Sequence, residues 1–301
     1  MTATYNWSSV LRHAITSVQH QTMADLEMII VGDACTDDTA EVVESMNDGR
    51  LAWYNRPENS GSQGLPNNDG LARARGRYIA YLGQDDLWHP SHLADLVSRI
   101  EGTDSSLVHS LTLYLGPPDD PRREVAGFQP AGGHRREIFV PPSSVLHRRE
   151  LGKAIGGWRD YRELVHGPDY DFLSRAWDAD PRFASTERLT VFKFPSTWRP
   201  GSYRLRPSHE QAGYLDRMRN EPDFIEREMT ATLRSAFSPM VRTDPHVAPG
   251  VLVAQYRQIR GLEPQPLPPP PLGFRLRGRL RGLAHPAKVA ILRAAAWIES
   301  L

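Results

Sequence analysis

The chain has 301 residues, with 36 basic and 36 acidic side chains in balance and a single cysteine, Cys35, so it can bury a sizeable core. The charge balance supplies no general field for nucleic acid, and one cysteine excludes an internal disulfide framework and a multi-cysteine zinc site. No apolar stretch approaches the roughly 20 residues that span a bilayer, and Met1 to Gln21 lacks the apolar segment of a signal peptide, so a cytoplasmic protein is the expectation.

Met1 to Asn6 is too short for a full strand. Val10, Leu11, Ala14, Ile15 and Val18 then recur at helical spacing, with Ser8 or Ser9 available as the cap. Leu26 to Val31 is strand-like and ends at Gly32-Asp-Ala-Cys-Thr-Asp-Asp-Thr39, whose acidic residues complement the positive end of a following helix (Ala40, Val42, Val43, Met46). Leu51 to Tyr54 is a short strand, and the polar, glycine-rich segment Asn59 to Gly70 leads into a short helix, Leu71 to Arg75. Tyr78 to Leu82, between Gly76 and Gly83, reads as a strand buried on both faces. At its carboxyl end stand Gln84, Asp85 and Asp86, followed by Pro90 and a helical pattern (Leu93, Leu96, Val97, Ile100).

This alternation predicts an α/β fold with a largely parallel sheet flanked by helices. In such sheets ligands bind beyond the carboxyl ends of the strands, where Asp33 and Asp85 both stand. Adjacent carboxylates repel each other and call for a cation or for compensating hydrogen bonds. Hard oxygen ligands of this kind suit Mg2+ or Mn2+ held together with substrate phosphates. The competing reading is that Asp86 or its neighbours cap the helix that Pro90 opens.

Ala3-Thr-Tyr-Asn6, Val31-Gly-Asp-Ala-Cys-Thr-Asp-Asp-Thr39, Asn59-Ser-Gly61, Ala74-Arg-Gly-Arg-Tyr-Ile-Ala-Tyr-Leu82 and Gln84-Asp-Asp-Leu-Trp88 occur in that order. Together they resemble the nucleotide-sugar-binding half of a family 2 glycosyltransferase of GT-A fold, a Rossmann-like architecture. The resemblance implies that Thr4, Tyr5 and Asp33 contact the nucleotide base. Asp85 would be the metal-coordinating member of the family's Asp-x-Asp motif, bridging a divalent cation to the donor pyrophosphate, where the cation stabilises the leaving group. Gln84 takes the ribose-contacting position usually held by the first Asp of that motif, and Asn68 matches a family Asn. Gly32-Asp33-Ala34-Cys35 keeps only the second carboxylate of the usual Asp-Asp-Gly-Ser, and Asn67 replaces a common Arg. The family pattern has a complete strand before Thr4-Tyr5-Asn6, and a late start at Met1 is the reading preferred.

Ser106 to Leu115 is a further apolar stretch, followed by an exposed Gly/Pro/Asp loop from Gly116. Val140 to His147 and Arg149 to Trp158 resemble the family's acceptor-side strand, helix and Gly-Gly-aromatic turn, with Gly156 ending the helix in left-handed conformation. Gly167-Pro-Asp-Tyr-Asp-Phe-Leu-Ser-Arg175 matches the family's Glu-Asp-x-Asp-Leu-x-x-Arg segment, with Pro168 in place of Glu. By that match Asp169 is the general base that takes the acceptor hydroxyl proton, and Asp171 orients the helix start. On the residues alone, Pro168 and Asp169 simply suit a helix N-terminus. Cys35 reads as a compact filler rather than a nucleophile. His109, His134, His147, His166 and His209 show no metal-ligand spacing, and Trp158, Tyr161 and Trp198 are core aromatics before they are sugar platforms.

Arg206 to Ala236 and Val247 to Ile259 read as helices, Glu263 to Leu272 as a stiff polyproline spacer, and the rest as a basic amphipathic segment with Trp297. That segment suits either peripheral contact with an anionic membrane or docking on protein. The domain expectation is therefore a GT-A domain over 1–205 (donor half 1–115, acceptor half 116–205), a helical extension over 206–262, a linker over 263–273 and the basic segment over 274–301. The function implied is metal-assisted, inverting transfer of a sugar from a nucleoside-diphosphate donor to a glycan or lipid-linked glycan acceptor, in the cytoplasm or at the inner face of the membrane. The alternatives are a catalytically silent GT-A scaffold and a nucleotidyltransferase. The lack of a glycine-rich, basic phosphate loop near the N-terminus speaks against the latter.

Overall fold

The computed structural model describes residues 1–237 apart from 121, 130–132 and 137. The expected helix over 247–259, the proline-rich linker and the basic C-terminal segment lie outside the described residues.

In chain order the elements are β1 (Thr2–Thr4), α1 (Ser8–Gln19), β2 (Met28–Gly32), α2 (Thr39–Ser45), β3 (Leu51–Asn55), α3 (Gly64–Arg73), β4 (Tyr78–Ala80), β5 (Leu87–Trp88), α4 (His92–Glu101), β6 (Leu107–Leu115) and β7 (Arg123–Ala126). There follow β8 (Val145–Arg148), α5 (Arg149–Ala154), α6 (Pro168–Ala179), β9 (Phe183–Lys193), α7 (Ser202–Leu205), α8 (His209–Asn220) and α9 (Phe224–Phe237). Strands β1, β2 and β3 form a parallel sheet in that order, with Thr2 opposite Ile30 and Met28 opposite Leu51. Every residue of β2 is buried, as an apolar run covered on both faces requires. The apolar face of α1 (Val10, Leu11, Ala14, Ile15, Val18) packs there with Met28 and Ile30. Neither Ser8 nor Ser9 caps this helix. Trp7 holds the cap position, and the acceptors come from the loop after β2, with the Ser8 N–H reaching Asp37 and Ser8 Oγ donating to Asp38 at 2.6 Å.

The second sheet is mixed rather than parallel: its order is β4-β8-β6-β9-β5, with β7 on β6, and β6–β9 is its parallel pair. The antiparallel members arise because β8 returns between β4 and β6, pairing Ile79 with His147 and Val108 with Leu146. The two sheets join at the start of β1, where Met1 N donates to Ala80 O at 2.7 Å and Leu82 N to Met1 O at 2.9 Å. A cavity of about 670 Å³ opens beside this junction, between the first residues of β2 and β4. It lies at the amino ends of the strands, away from Asp33 and Asp85.

Helices α8 and α9 bury Leu215, Met218 and Phe224 against Phe192 and Phe194 of the second sheet. Fully burying such side chains contributes roughly 1.5–3 kcal/mol each. Glu228 of α9 is buried but accepts from Arg123 at 2.6 Å and pairs with Arg217 at 2.8 Å, which offsets its desolvation.

An aromatic stack links the residue after β4 to α6. Trp158 lies flat on Phe172 of α6 at 4.5 Å between ring centres, and Tyr81 meets both rings edge-on. The Tyr81 hydroxyl is 3.1 Å from His147 Nε2. Aromatic contacts of these geometries contribute about 0.5–1.5 kcal/mol beyond area burial.

Candidate active site

Residues 83–86 form a tight turn after β4, with Asp86 N donating to Gly83 O at 3.1 Å. A Cβ on Gly83 would stand 2.6 Å from Asp86 Oδ2, so the turn requires glycine. The turn sends its two carboxylates to different environments. Asp86 points inward, is wholly buried, and accepts from Ser143 Oγ at 2.5 Å and Lys193 Nζ at 2.7 Å, while its Oδ1 has no hydrogen-bond partner. It does not cap α4, whose N-cap position is Ser91. Asp85 is half-buried. Its backbone carbonyl accepts from Gln211 Nε2 at 3.2 Å, and no other residue is seen to bond its carboxylate among the described residues. Burial, and then the neighbouring Asp86 charge, push its pKa up to about 6, against the pull of Lys193 and Arg199.

Lys193 ends β9, in register with Tyr114 at the end of β6. Burial works against its ammonium, but Asp86 and Asp85 outweigh burial and hold the pKa above that of an ordinary lysine. About a quarter of the side chain (27%) stays exposed. The nearby guanidinium of Arg199 is committed to both oxygens of Glu210 and to the carbonyls of Leu115 and Gly116.

The expected base-binding residues converge at the carboxyl ends of β1 and β2. Thr4 Oγ1 and the Tyr5 N–H donate to Gln84 Oε1 at 2.6 and 3.0 Å. Since only the amide oxygen can accept, the Gln84 NH2 faces away from Thr4. The Tyr5 side chain is 46% exposed and available for a planar ligand. Asp33 accepts from the Ser60 N–H, Ser60 Oγ and the Gly61 N–H at 2.9–3.1 Å and stands 3.4 Å from Arg56 Nε. These partners occupy much of the acceptor capacity of its carboxylate. Burial raises the thiol pKa of Cys35, which accepts from the Asn6 N–H, as befits a filler rather than a nucleophile.

Asp169 is the second residue of α6, behind Pro168. Its carboxylate accepts from Gln63 Nε2, and burial raises its pKa, partly opposed by the Lys193 charge. Asp171 instead pairs with Arg175 at 2.7 Å. Asn68 stands apart from this cluster. Its amide donates to Trp158 O at 2.7 Å and accepts from Trp158 N at 2.8 Å, holding the Gly157–Trp158 turn. Gly157 there has φ +70°, and a Cβ on it would meet Asn68 Oδ1 at 2.4 Å.

Sequence reasoning missed Lys193, Ser143 and Gln63. Lys193 had one signal, a lone cation closing the apolar run Leu189-Thr-Val-Phe192. No group of three or more acidic, histidine or cysteine ligands gathers among the described residues. The donor set is instead Asp85, with the partnerless Oδ1 of Asp86 behind it. That set fits a hard divalent cation completed by phosphate oxygens and water.

Residues 1–148 match the sequence model of the family described as Glycosyl transferase family 2. That amino-terminal stretch of the chain belongs to the family. Over 99 residues the chain is 31% identical to WfaP of Escherichia coli, a UDP-Glc:alpha-D-GlcNAc-diphosphoundecaprenol beta-1,3-glucosyltransferase, covering 33% of the chain and 39% of WfaP. The chain spans about a third of the length of the curated relatives it matches. The fold is that of Staphylococcus aureus TarS 1–349 in complex with UDP-GlcNAc (TM-score 0.57, 19% identity, 85% of this chain and 76% of that one). It is also that of mannosyltransferase PcManGT from Pyrobaculum calidifontis in complex with GDP-Man and Mn2+ (TM-score 0.54, 17% identity, 98% of this chain and 84% of that one). The fold class is thus GT-A.

Proposed function

We propose that this chain transfers a sugar, with inversion, from a nucleoside-diphosphate-sugar donor to a hydroxyl of a glycan or lipid-linked glycan. One observation carries the reading: Lys193, which bonds Asp86 at 2.7 Å, also acts electrostatically on both Asp85 and, on α6, Asp169. On this reading two carboxylates with separate tasks share Lys193 as a charged neighbour. In the first, Asp85 would hold Mg2+ or Mn2+, which when bound supplies Lewis-acid stabilisation of the diphosphate leaving group. In the second, Asp169 would accept the acceptor hydroxyl proton, and a raised pKa makes it a better base as long as it remains ionised. Thr4, Tyr5 and Asp33 would seat the base, and Gln84 the ribose. Asn68 is left out of the donor site because its amide is spent on Trp158.

The acceptor class rests on WfaP, whose substrate is carried on diphosphoundecaprenol. No helix among the described residues is long and apolar enough to cross a membrane. A cytoplasmic enzyme at the inner membrane face, touching lipid through its basic C-terminal segment, accords with that acceptor. We keep the division into a donor half over 1–115 and an acceptor half over 116–205 as part of the same proposal. The test is calorimetric titration of UDP, GDP and dTDP, each with and without Mn2+, into the wild type and Asp85→Asn. Binding of one nucleotide that is strengthened by Mn2+ and weakened by the substitution supports the reading. A folded wild type that binds none of them turns it toward a silent scaffold.

A further inference from the structure

The Lys193–Asp86 pair would suffice as a structural ion pair if its ammonium were sealed. It is not: 27% of the Lys193 side chain is exposed, and the bond to Asp86 at 2.7 Å uses one of three Nζ donors. Lys193 stands among Asp85, Asp86 and Asp169, whereas the neighbouring Arg199 is spent on Glu210 and two carbonyls. The Gln84 oxygen is likewise engaged by Thr4 and Tyr5. Lys193 is thus a fixed cation with donors to spare beside Asp86, where one divalent ion alone would leave a diphosphate under-neutralised.

Resting on the function proposed above, we infer that Lys193 binds the diphosphate of the donor directly, as a built-in positive charge beside the divalent cation. Asp86 aims the ammonium from behind, and Ser143 fixes Asp86. Charge-assisted bonds of this kind are about twice as strong as neutral ones. Nucleoside diphosphate should therefore keep measurable affinity when the divalent cation is removed.

The experiment compares UDP with uridine (or the matching pair for whichever nucleotide the wild type binds). Calorimetry serves for the diphosphate and ligand-observed NMR for the nucleoside, in EDTA and in Mn2+, on the wild type, Lys193→Met and Lys193→Arg. Thermal melts of all three check the fold. Lys193→Met is expected to weaken UDP about 10- to 100-fold in EDTA and less in Mn2+, with uridine unchanged, and Lys193→Arg to recover most of the loss. Equal losses for UDP and uridine would make Lys193 a scaffold residue and overturn the inference, as would unchanged UDP affinity. A wild type that binds no nucleotide even with Mn2+ would instead overturn the proposed function, and this inference with it.

Discussion

Thr4 Oγ1 and Gln84 Oε1 are 2.6 Å apart, and the Tyr5 N–H donates to the same oxygen, so the turn after β4 holds the end of β1 in place. Gln84→Ala strands a buried hydroxyl and a backbone N–H, at a cost of about 1–3 kcal/mol. Gln84→Glu keeps both acceptor bonds, so it should recover most of that loss and tighten Mn2+ by adding charge beside Asp85. Urea melts and a Mn2+ titration of the two variants measure the two effects. A Gln84→Ala protein as stable as the wild type would deny the link.

Asp169→Asn should bind donor as the wild type does and lose transfer by roughly 10²- to 10⁴-fold. Gln63→Ala acts more gently. Gln63 donates to the Asp169 carboxylate and favours its ionised form, so its removal should carry the acidic limb of the kcat/KM profile to higher pH and leave the plateau largely intact. Coincident acidic limbs for the two proteins would remove Asp169 as the group that titrates.

Asn68→Ala breaks both bonds to the Trp158 backbone and should destabilise the fold by about 1–3 kcal/mol. Nucleotide affinity of the folded fraction should not change. A loss of affinity at unchanged stability would put Asn68 in the donor site after all.

Burial holds His92 and His109 at about 3 and His147 at about 4, all below the ordinary histidine value. Groups depressed in this way stabilise the fold fully above about pH 6.5, and that stability is lost as pH falls toward 4. Each costs roughly 1.4 kcal/mol per pH unit in that window, so the three together cost about 4 kcal/mol per unit. Asp85 and Asp169, whose pKa values are raised, work in the opposite direction but are outnumbered by the depressed imidazoles. Urea unfolding at pH 7 and 5.5 should show a steep fall in stability, and a flat profile would mean these imidazoles are protonated in the fold.

The parallel half of the fold was readable because its signals are local. The helical spacing of Val10 to Val18 and the unbroken apolar run of β2 each specify their own burial. The position of Asp85 at a strand end was legible for the same reason. The mixed sheet was not, because β8 inserts between β4 and β6 through pairings distant in sequence, such as Ile79 with His147. Lys193 and Gln63 were missed on the same ground, since their partners Asp86 and Asp169 lie far along the chain. Asn68 and Asp33 show the converse. A residue in a recognisable motif carries no mark of whether its polar atoms are already satisfied within the protein.

The stack of Tyr81, His147, Trp158 and Phe172 bears on how such a protein can be re-engineered or can diverge. Tyr81 follows the strand that leads to Asp85, and Phe172 rides on the helix that carries Asp169. The rings thus brace the spacing between Asp85 and Asp169, the two centres of the proposed chemistry. Loops on the acceptor side can change freely without moving one centre relative to the other. A chimera that borrowed its acceptor half from another family member would have to import matching aromatics at these positions, or its two carboxylates would fall out of alignment.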